Sequence, residues 1–396
     1  MHNLQELSGF MGGLTPSATL AIAAMAKALK QQGEDVVSMS AGEPDFDTPQ
    51  VIKQACIDAI NQGKVYYTPA SGLMELKKEI VEKFAKDNGI VTAPERIVIA
   101  PGAKFSVFSA VAALCGPGDE VILPAPYWLS YPEMVKATGA KVVPIPTTAA
   151  NNYELDPAEL EARITTHTKL LILNSPSNPT GAVYRKATLE KIAEVAVRHN
   201  IMILADEIYE KLVYDKDFPH VSIASLNDKV ADITITANGF SKTYSMTGWR
   251  LGYLTAPLWL AKRIIAFQSH STSNPTTFVQ WAGITALREA GEDVEKMRKA
   301  FSHRRDLIYR LVSEIDGIKT HRPQGAFYLF CDVSSFGLSA DDFCKELLEK
   351  ELLAVVPGTG FGAPESIRLS YACSENNIYE AMKRLGNFCA SLRKRG

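Results

Sequence analysis

NGFSKTYSMTGWRLGY, residues 238–253, follows directly on a short β-type run, DITITA at 232–237. A strand that ends in a polar turn sets its next side chains at the carboxyl edge of a sheet, where open α/β sheets bind ligands. The turn carries Ser241 and Lys242, with Arg250 eight residues after the lysine. To attack a carbonyl near neutral pH, Lys242 must lose a proton that lysine ordinarily holds to about pH 10.4; burial and a neighbouring cation such as Arg250 both work in that direction. Ser241 and Arg250 can hold an anion beside it. Taken alone, a loop lysine is an ordinary solvated side chain, so the reading depends on what surrounds it.

Outward from this stretch, strands alternate with helices between about 48 and 285, which predicts a mostly parallel sheet with helices on both faces. Arg96 to Ala100 reads as a strand, Pro101-Gly102 as a turn and Ala103 to Cys115 as a helix. A glycine at such a turn exposes the first helical amides, which favour a phosphate, and Lys104 adds a cation there. Neither GxxxxGK[ST] nor GxGxxG occurs, so a nucleotide site is not expected. Glu120 to Leu123 is a strand that ends at Pro124-Ala125-Pro126-Tyr127-Trp128. Lys169 to Leu173 is all apolar after its lysine, as in a buried parallel sheet, and runs into the turn NSPSNPTG. Ile201 to Ala205 precedes Asp206-Glu207-Ile208-Tyr209. An acid directly after a buried strand is costly unless paired, so Asp206 should meet a cation. Arg368 lies in the strand-like run 366–372, and its planar guanidinium suits a two-point grip on a carboxylate.

Ser-Lys at 241–242 with MTGWRLGY at 246–253, NPTG at 178–181 and DEIY at 206–209 resembles the class I aminotransferases, fold type I enzymes that use pyridoxal 5'-phosphate. The resemblance is to the bacterial and plant branch of aspartate and aspartate/prephenate aminotransferases, and it runs in order from about Ser17 to Ser374. It implies a cofactor carried on Lys242, its phosphate held by Gly102, Ala103, Lys104, Ser241 and Arg250, its ring stacked on Trp128 and its protonated nitrogen paired with Asp206. Asn178 and Tyr209 would bond the ring oxygen, and Lys242, Asp206 and Tyr209 would serve the catalysis. Arg368, with Gly42, Trp128 and Asn178, would bind the substrate around its α-carboxylate. Thr19 and Lys104 would take a distal carboxylate. Tyr67, in a polar loop where an aromatic ring is poorly buried without a second surface, would reach the cofactor phosphate of a neighbouring subunit, which implies a homodimer with shared sites.

The expected activity is transfer of the amino group of L-aspartate to 2-oxoglutarate by a ping-pong mechanism, extending to prephenate. Thr15 departs from the lysine common at that position, which bears against prephenate. The polar loop 271–277 carries no arginine, which fits this branch but equally fits an enzyme for alanine or aromatic amino acids, the alternative reading.

The 396 residues suffice for two domains. The expected division is 48–285 as a large cofactor-binding domain with a seven-stranded, mostly parallel sheet, and 286–396 with 1–47 as a smaller α+β domain. A formal charge of −2 and no Lys/Arg block argue against nucleic acid or an acidic membrane as partner. No run approaches the ~20 apolar residues of a spanning helix, and residues 1–13 lack a signal-peptide pattern, so a cytoplasmic protein is expected. The six cysteines form no CxxC pair and no zinc pattern, so no metal is expected, and buried reduced thiols are.

Overall fold

A computed structural model describes residues 13–14 and 18–393, with side chains of the first helix described from residue 21. The chain enters through the helix Ala18–Gln31 and a two-residue strand β1 (Val37–Ser38). Seven strands follow: β2 (Ile97–Ala100), β3 (Glu120–Ala125), β4 (Lys141–Pro146), β5 (Thr168–Asn174), β6 (Met202–Asp206), β7 (Thr234–Gly239) and β8 (Gly252–Thr255). The last third adds β9 (Lys319–Thr320), β10 (Tyr328–Asp332), β11 (Leu353–Ala354), β12 (Val356–Pro357) and β13 (Ser366–Ser370).

Strands β2 to β8 form one sheet in the order β2-β8-β7-β6-β5-β3-β4. Its pairs are parallel except those of β8, which runs antiparallel to both β2 and β7. The exception follows from the connection: residues 240–251 between β7 and β8 contain no helix, and a parallel return is usually made through one. The sequence reading did not assign β8, because Gly-Tyr-Leu-Thr is too short to show a period.

Along β5, Leu170 and Ile172 face one layer of helices while Leu171 and Leu173 face the other. The first layer brings Val107, Ala110 and Val111 from helix Ala103–Leu114 and Leu260 and Ile264 from helix Leu258–Ser271. The second brings Leu189, Ile192 and Ala196 from helix Lys186–Arg198. Burial on both faces explains why these strands read as continuous apolar runs.

A four-stranded antiparallel sheet, β12-β13-β10-β9, packs its apolar side chains against helices Gly291–Ser313, Ala340–Glu351 and Glu375–Arg393 through Phe301, Phe343, Leu347, Leu385 and Phe388. Strand β1 pairs in parallel with β11, Val37 against Leu353, which ties the N-terminal segment to this unit.

Several expectations are refined. Strand β1 is only two residues long, and the helix that begins at Met74 is α-helical to Lys83 but closes in a π-turn at Phe84–Asn88. All six cysteines are free, but Cys56 and Cys373 are only partly buried. Ser17, Thr15, residues 1–12 and the basic tail beyond Arg393 lie outside the described residues. Among the described residues, no helix is long and apolar enough to cross a membrane.

One contact ties the odd strand to the functional edge. At Gly252 in β8, a Cβ would lie 2.2 Å from the Ala103 nitrogen and 2.4 Å from the Gly102 carbonyl carbon, both backbone atoms that cannot step aside. G252A should therefore lower the melting temperature of the ligand-free protein by about 1–4 °C, from roughly 1–3 kcal/mol of overpacking. G248A, where a Cβ meets nothing within 4 Å, should leave it within error in the same calorimetric scan.

Candidate active site

The carboxyl ends of the parallel strands converge on one cavity of about 610 Å³, within the range of small-molecule sites. β3 leads to Trp128, β5 to Asn178, β6 ends in Asp206 and leads to Tyr209, and β7 leads to Ser241 and Lys242. The turn after β1 supplies Gly42, and β13 reaches in with Arg368. Ala103, Lys104 and Arg250 complete the set, so the fold brings together residues separated by over three hundred positions in sequence.

Gly102 caps the helix that starts at Ala103, with φ +89°, a conformation open to glycine. Its carbonyl accepts from the amides of Phe105 and Ser106 at 3.0 and 3.3 Å. The Arg250 guanidinium lies against it: a Cβ at Gly102 would sit 2.4 Å from Arg250 Nη2. Arg250 itself stands at φ +55° and donates through Nη1 to the Thr247 carbonyl at 2.7 Å. A non-glycine residue held there stores about 1–3 kcal/mol of backbone strain. What the strain secures is a guanidinium, the Lys104 ammonium and a helix N-terminus around one point, an arrangement suited to a phosphate-sized anion.

Asp206 is buried, with Oδ2 accepting from the Tyr131 hydroxyl at 2.7 Å and Oδ1 from the Ile208 amide at 3.2 Å. Burial pushes its carboxyl up to about 6, against the lowering effect of those two donors. Among the described residues no lysine, arginine or histidine forms a salt bridge with it, so the cation expected from the sequence is not supplied by the chain in contact.

Arg368 is the counterpart. It is 2% exposed, donates from Nη1 to Asn178 Oδ1 and from Nη2 to the Ser40 carbonyl, both at 3.0 Å, and its buried Nε has no partner. The guanidinium lies 4.5 Å from the ring centre of Tyr328 and 5.1 Å from that of Phe361. Among the described residues no carboxylate pairs with it. Because Asn178 presents its oxygen to Arg368, its amide N–H groups remain as donors.

Between these two charges stands Lys242, whose Nζ donates to the Gly42 carbonyl. Burial lowers its amine to about 8; Glu43 opposes the shift, while Arg368, Arg250 and Lys104 add to it. The direction and the contribution of Arg250 follow the sequence reading, but burial dominates and Glu43 was not foreseen. Glu43 is held by a 2.8 Å hydrogen bond from Thr247.

Of the other predicted residues, Trp128 lines the cavity with Lys104 Nζ 4.8 Å above its ring. Tyr209 shares a 2.8 Å hydrogen bond with the hydroxyl of Tyr328. Tyr67 does not line the cavity and is 89% exposed, beside Tyr66 at 81%. The side chain of Thr19, like Thr15, lies outside the described residues. Sequence reasoning missed Tyr131 and Tyr328. Tyr131 follows Trp128 by three positions, a usable helical spacing, whereas Tyr328 sits in β10, where both faces are buried and alternation is silent.

Behind the Asp206–Tyr209 turn lies a buried ionic network with no sequence signal. Lys83 pairs with Glu210, and Asn88 Nδ2 donates to Glu207, Glu210 and Ser222 at 3.0, 2.6 and 2.8 Å. His220 meets Glu207 at 3.1 Å; burial, the largest single effect, draws its imidazole down, but Glu207 and Glu210 together raise it above the ordinary value.

Against known proteins, the family model for aminotransferase class I and II matches residues 34–385. An aspartate aminotransferase of Bacillus sp. (strain YM-2) is 48% identical over 380 residues, spanning 95% of this chain and 97% of the relative. A probable aspartate/prephenate aminotransferase of Aquifex aeolicus is 45% identical, spanning 96% and 97%. The solved structure of the aspartate aminotransferase from Thermus thermophilus with maleate superposes with a TM-score of 0.93 at 42% identity, covering 97% of this chain and all of that one.

The Lys242 environment can be checked without any ligand. Acylation of Lys242 in the ligand-free protein, followed by peptide mass mapping, should rise with pH through a midpoint near 8. E43Q removes the charge that favours the ammonium, so its midpoint should fall below that of the parent protein. An unchanged or higher midpoint in E43Q would contradict this account.

Proposed function

Because this chain belongs to the class I and II aminotransferase family, we propose that it is a pyridoxal 5'-phosphate enzyme that transfers the amino group of L-aspartate to 2-oxoglutarate, with prephenate as a further acceptor. The observation that carries the reading is a pair of buried charges with no ionic partner among the described residues, Asp206 without a cation and Arg368 without an acid, both acting on a lysine whose amine burial lowers to about 8.

The residues present fit the cofactor. The buried Asp206 carboxylate lines the cavity with no salt-bridge partner among the described residues, and Arg250 fills the space where a Cβ at Gly102 would stand. Ser241, Arg250, Gly102, Ala103 and Lys104 would hold the phosphate, Trp128 the ring face, Asp206 the ring nitrogen, Asn178 and Tyr209 the ring oxygen, and Lys242 the covalent link. When bound, the cofactor supplies the electron sink that lets a proton leave the substrate's α-carbon.

The chain's own residues do the rest. Arg368 grips the α-carboxylate through two parallel bonds, with the Gly42 backbone beside it. Lys104, with Thr19, takes a second carboxylate, which favours dicarboxylates over alanine or aromatic donors. The names of the relatives, aspartate and aspartate/prephenate aminotransferases, support the same choice. The Lys242 amine would take the α-proton and deliver it away from Cα, onto the cofactor, a role that requires its free base near neutral pH. Donor and acceptor use the same two cationic grips in turn, hence ping-pong kinetics.

The working unit is a homodimer in our reading. The loop at 65–72 is anchored from below, Gln280 bonding Thr68 Oγ1 at 3.1 Å and the Leu73 amide at 2.8 Å, while Tyr66 and Tyr67 stand exposed. A rigid loop that offers aromatic rings to solvent suits a second copy, with Tyr67 serving the partner's phosphate. We assign 48–285 to a large domain and 286–396 with 1–47 to a small one whose closure carries Arg368 over the substrate. The β1–β11 pairing supports that grouping. A cytoplasmic location accords with six free cysteines.

The first test is the visible absorbance of the cofactor-loaded protein. It should bleach on adding aspartate and recover on adding 2-oxoglutarate or prephenate; bleaching only with alanine or phenylalanine would overturn the aspartate assignment. R368Q should lower kcat/KM for aspartate by roughly 10²- to 10³-fold, the loss of a buried charge-assisted grip. Sedimentation should give twice the 43.3 kDa chain mass.

A further inference from the structure

We propose that Tyr131 is a positioning residue for the cofactor ring: its hydroxyl fixes the Asp206 carboxylate, and its ring fixes Trp128, so that one side chain sets the groups that meet the ring's nitrogen and its face. The inference rests on the reading of Asp206 as the partner of the ring nitrogen.

Tyr131 is 2% exposed and sits in the first turn of the helix Ser130–Ala137, its amide bonded to the Trp128 carbonyl at 3.0 Å. Its hydroxyl donates to Asp206 Oδ2 at 2.7 Å. Its ring meets the Trp128 ring edge-on, 5.3 Å between centres at 87°. Rotation of either partner would break one of these contacts. The carboxylate has about four lone-pair directions; Tyr131 and the Ile208 amide take two, and the rest stay open to an incoming N–H donor.

The hydroxyl also favours the charged carboxylate, against burial. Other groups face Asp206 from each packed element. Glu207, on the same strand end, raises it; Lys242, after β7, lowers it; Tyr209 stands nearby. Asn174 bonds only its backbone carbonyl, at 2.9 Å. Against burial, the donors in contact with the carboxylate are Tyr131 and the longer 3.2 Å bond from Ile208. Tyr131 keeps its own proton throughout, since burial and the Asp206 charge raise it well above the ordinary phenol value.

Y131F isolates the hydroxyl, because phenylalanine preserves the edge-on packing. With [4-¹³C]aspartate-labelled, ligand-free protein, the Asp206 carboxyl resonance is the one absent from D206N. Its titration midpoint, near 6 in the parent protein, should move up by about one to two pH units in Y131F. In parallel, the affinity for pyridoxal phosphate is compared with that for its analogue carrying a C–H in place of the ring nitrogen, at pH 7.5. The parent protein should prefer the natural cofactor, D206N should lose the preference, and Y131F should weaken it about tenfold. A purely structural role would lower the melting temperature of Y131F while leaving both the midpoint and the preference unmoved, and that result overturns the proposal. A parent protein with no preference for the ring nitrogen would instead overturn the reading of Asp206, whatever the carboxyl titration shows.

Discussion

Two opposite charges, buried and kept from pairing with each other, are the constraint around which the molecule is arranged. Asp206 ends a central strand of the large sheet, and Arg368 comes from the smaller antiparallel sheet. Bringing either ion out of water costs several kcal/mol, and direct contact would relieve both. The fold denies that contact and substitutes neutral donors and acceptors: a phenol and a backbone amide for the carboxylate, an asparagine oxygen and a backbone carbonyl for the guanidinium. Neither set neutralises its charge. A ligand carrying a cation at one end of its reach and a carboxylate at the other satisfies both deficits together.

Such an arrangement demands a frame that does not relax. The parallel strands provide it, because their apolar side chains are gripped by helices on both faces and the strand ends cannot shift singly. Behind the turn at 206–209, the network of Lys83, Asn88, Glu207, Glu210, His220 and Ser222 holds the turn from one side. Tyr131 holds it from the other. The acid is thus braced between a charged cluster, paired within itself through Lys83–Glu210 and His220–Glu207, and a neutral phenol.

Much of this was legible in the sequence, for physical reasons that differ by residue. Strands buried on both faces announce themselves as apolar runs, and the turns that follow them, with Gly102, Asn178, Asp206 and Lys242, stand out because polar residues there have few structural uses. Lys242 stood out through its neighbours rather than by itself. Strand β8 was hidden by its length and by glycine, whose value at position 252 lies in what it omits. Tyr328 was hidden because β10 buries both faces, so no period distinguished the side turned to the cavity. The ionic network was hidden most completely: its members are spread from Lys83 to Ser222 and meet only through the topology.

The π-turn at Phe84–Asn88 gives that network a property of its own. A π-turn accommodates one residue more than an α-turn would over the same rise, and that surplus ends at Asn88, whose amide reaches Glu207, Glu210 and Ser222 at once. The helix therefore works as a gauge as well as a scaffold. Its outward side chains are free to vary, whereas a single deletion would restore regular winding and withdraw the amide from all three acceptors. Across descendants of this chain, drift in composition at the outward positions of 74–88 is cheap, whereas Leu76, Ile80, Lys83, Phe84 and Asn88 are held by burial and drift in length is not tolerated.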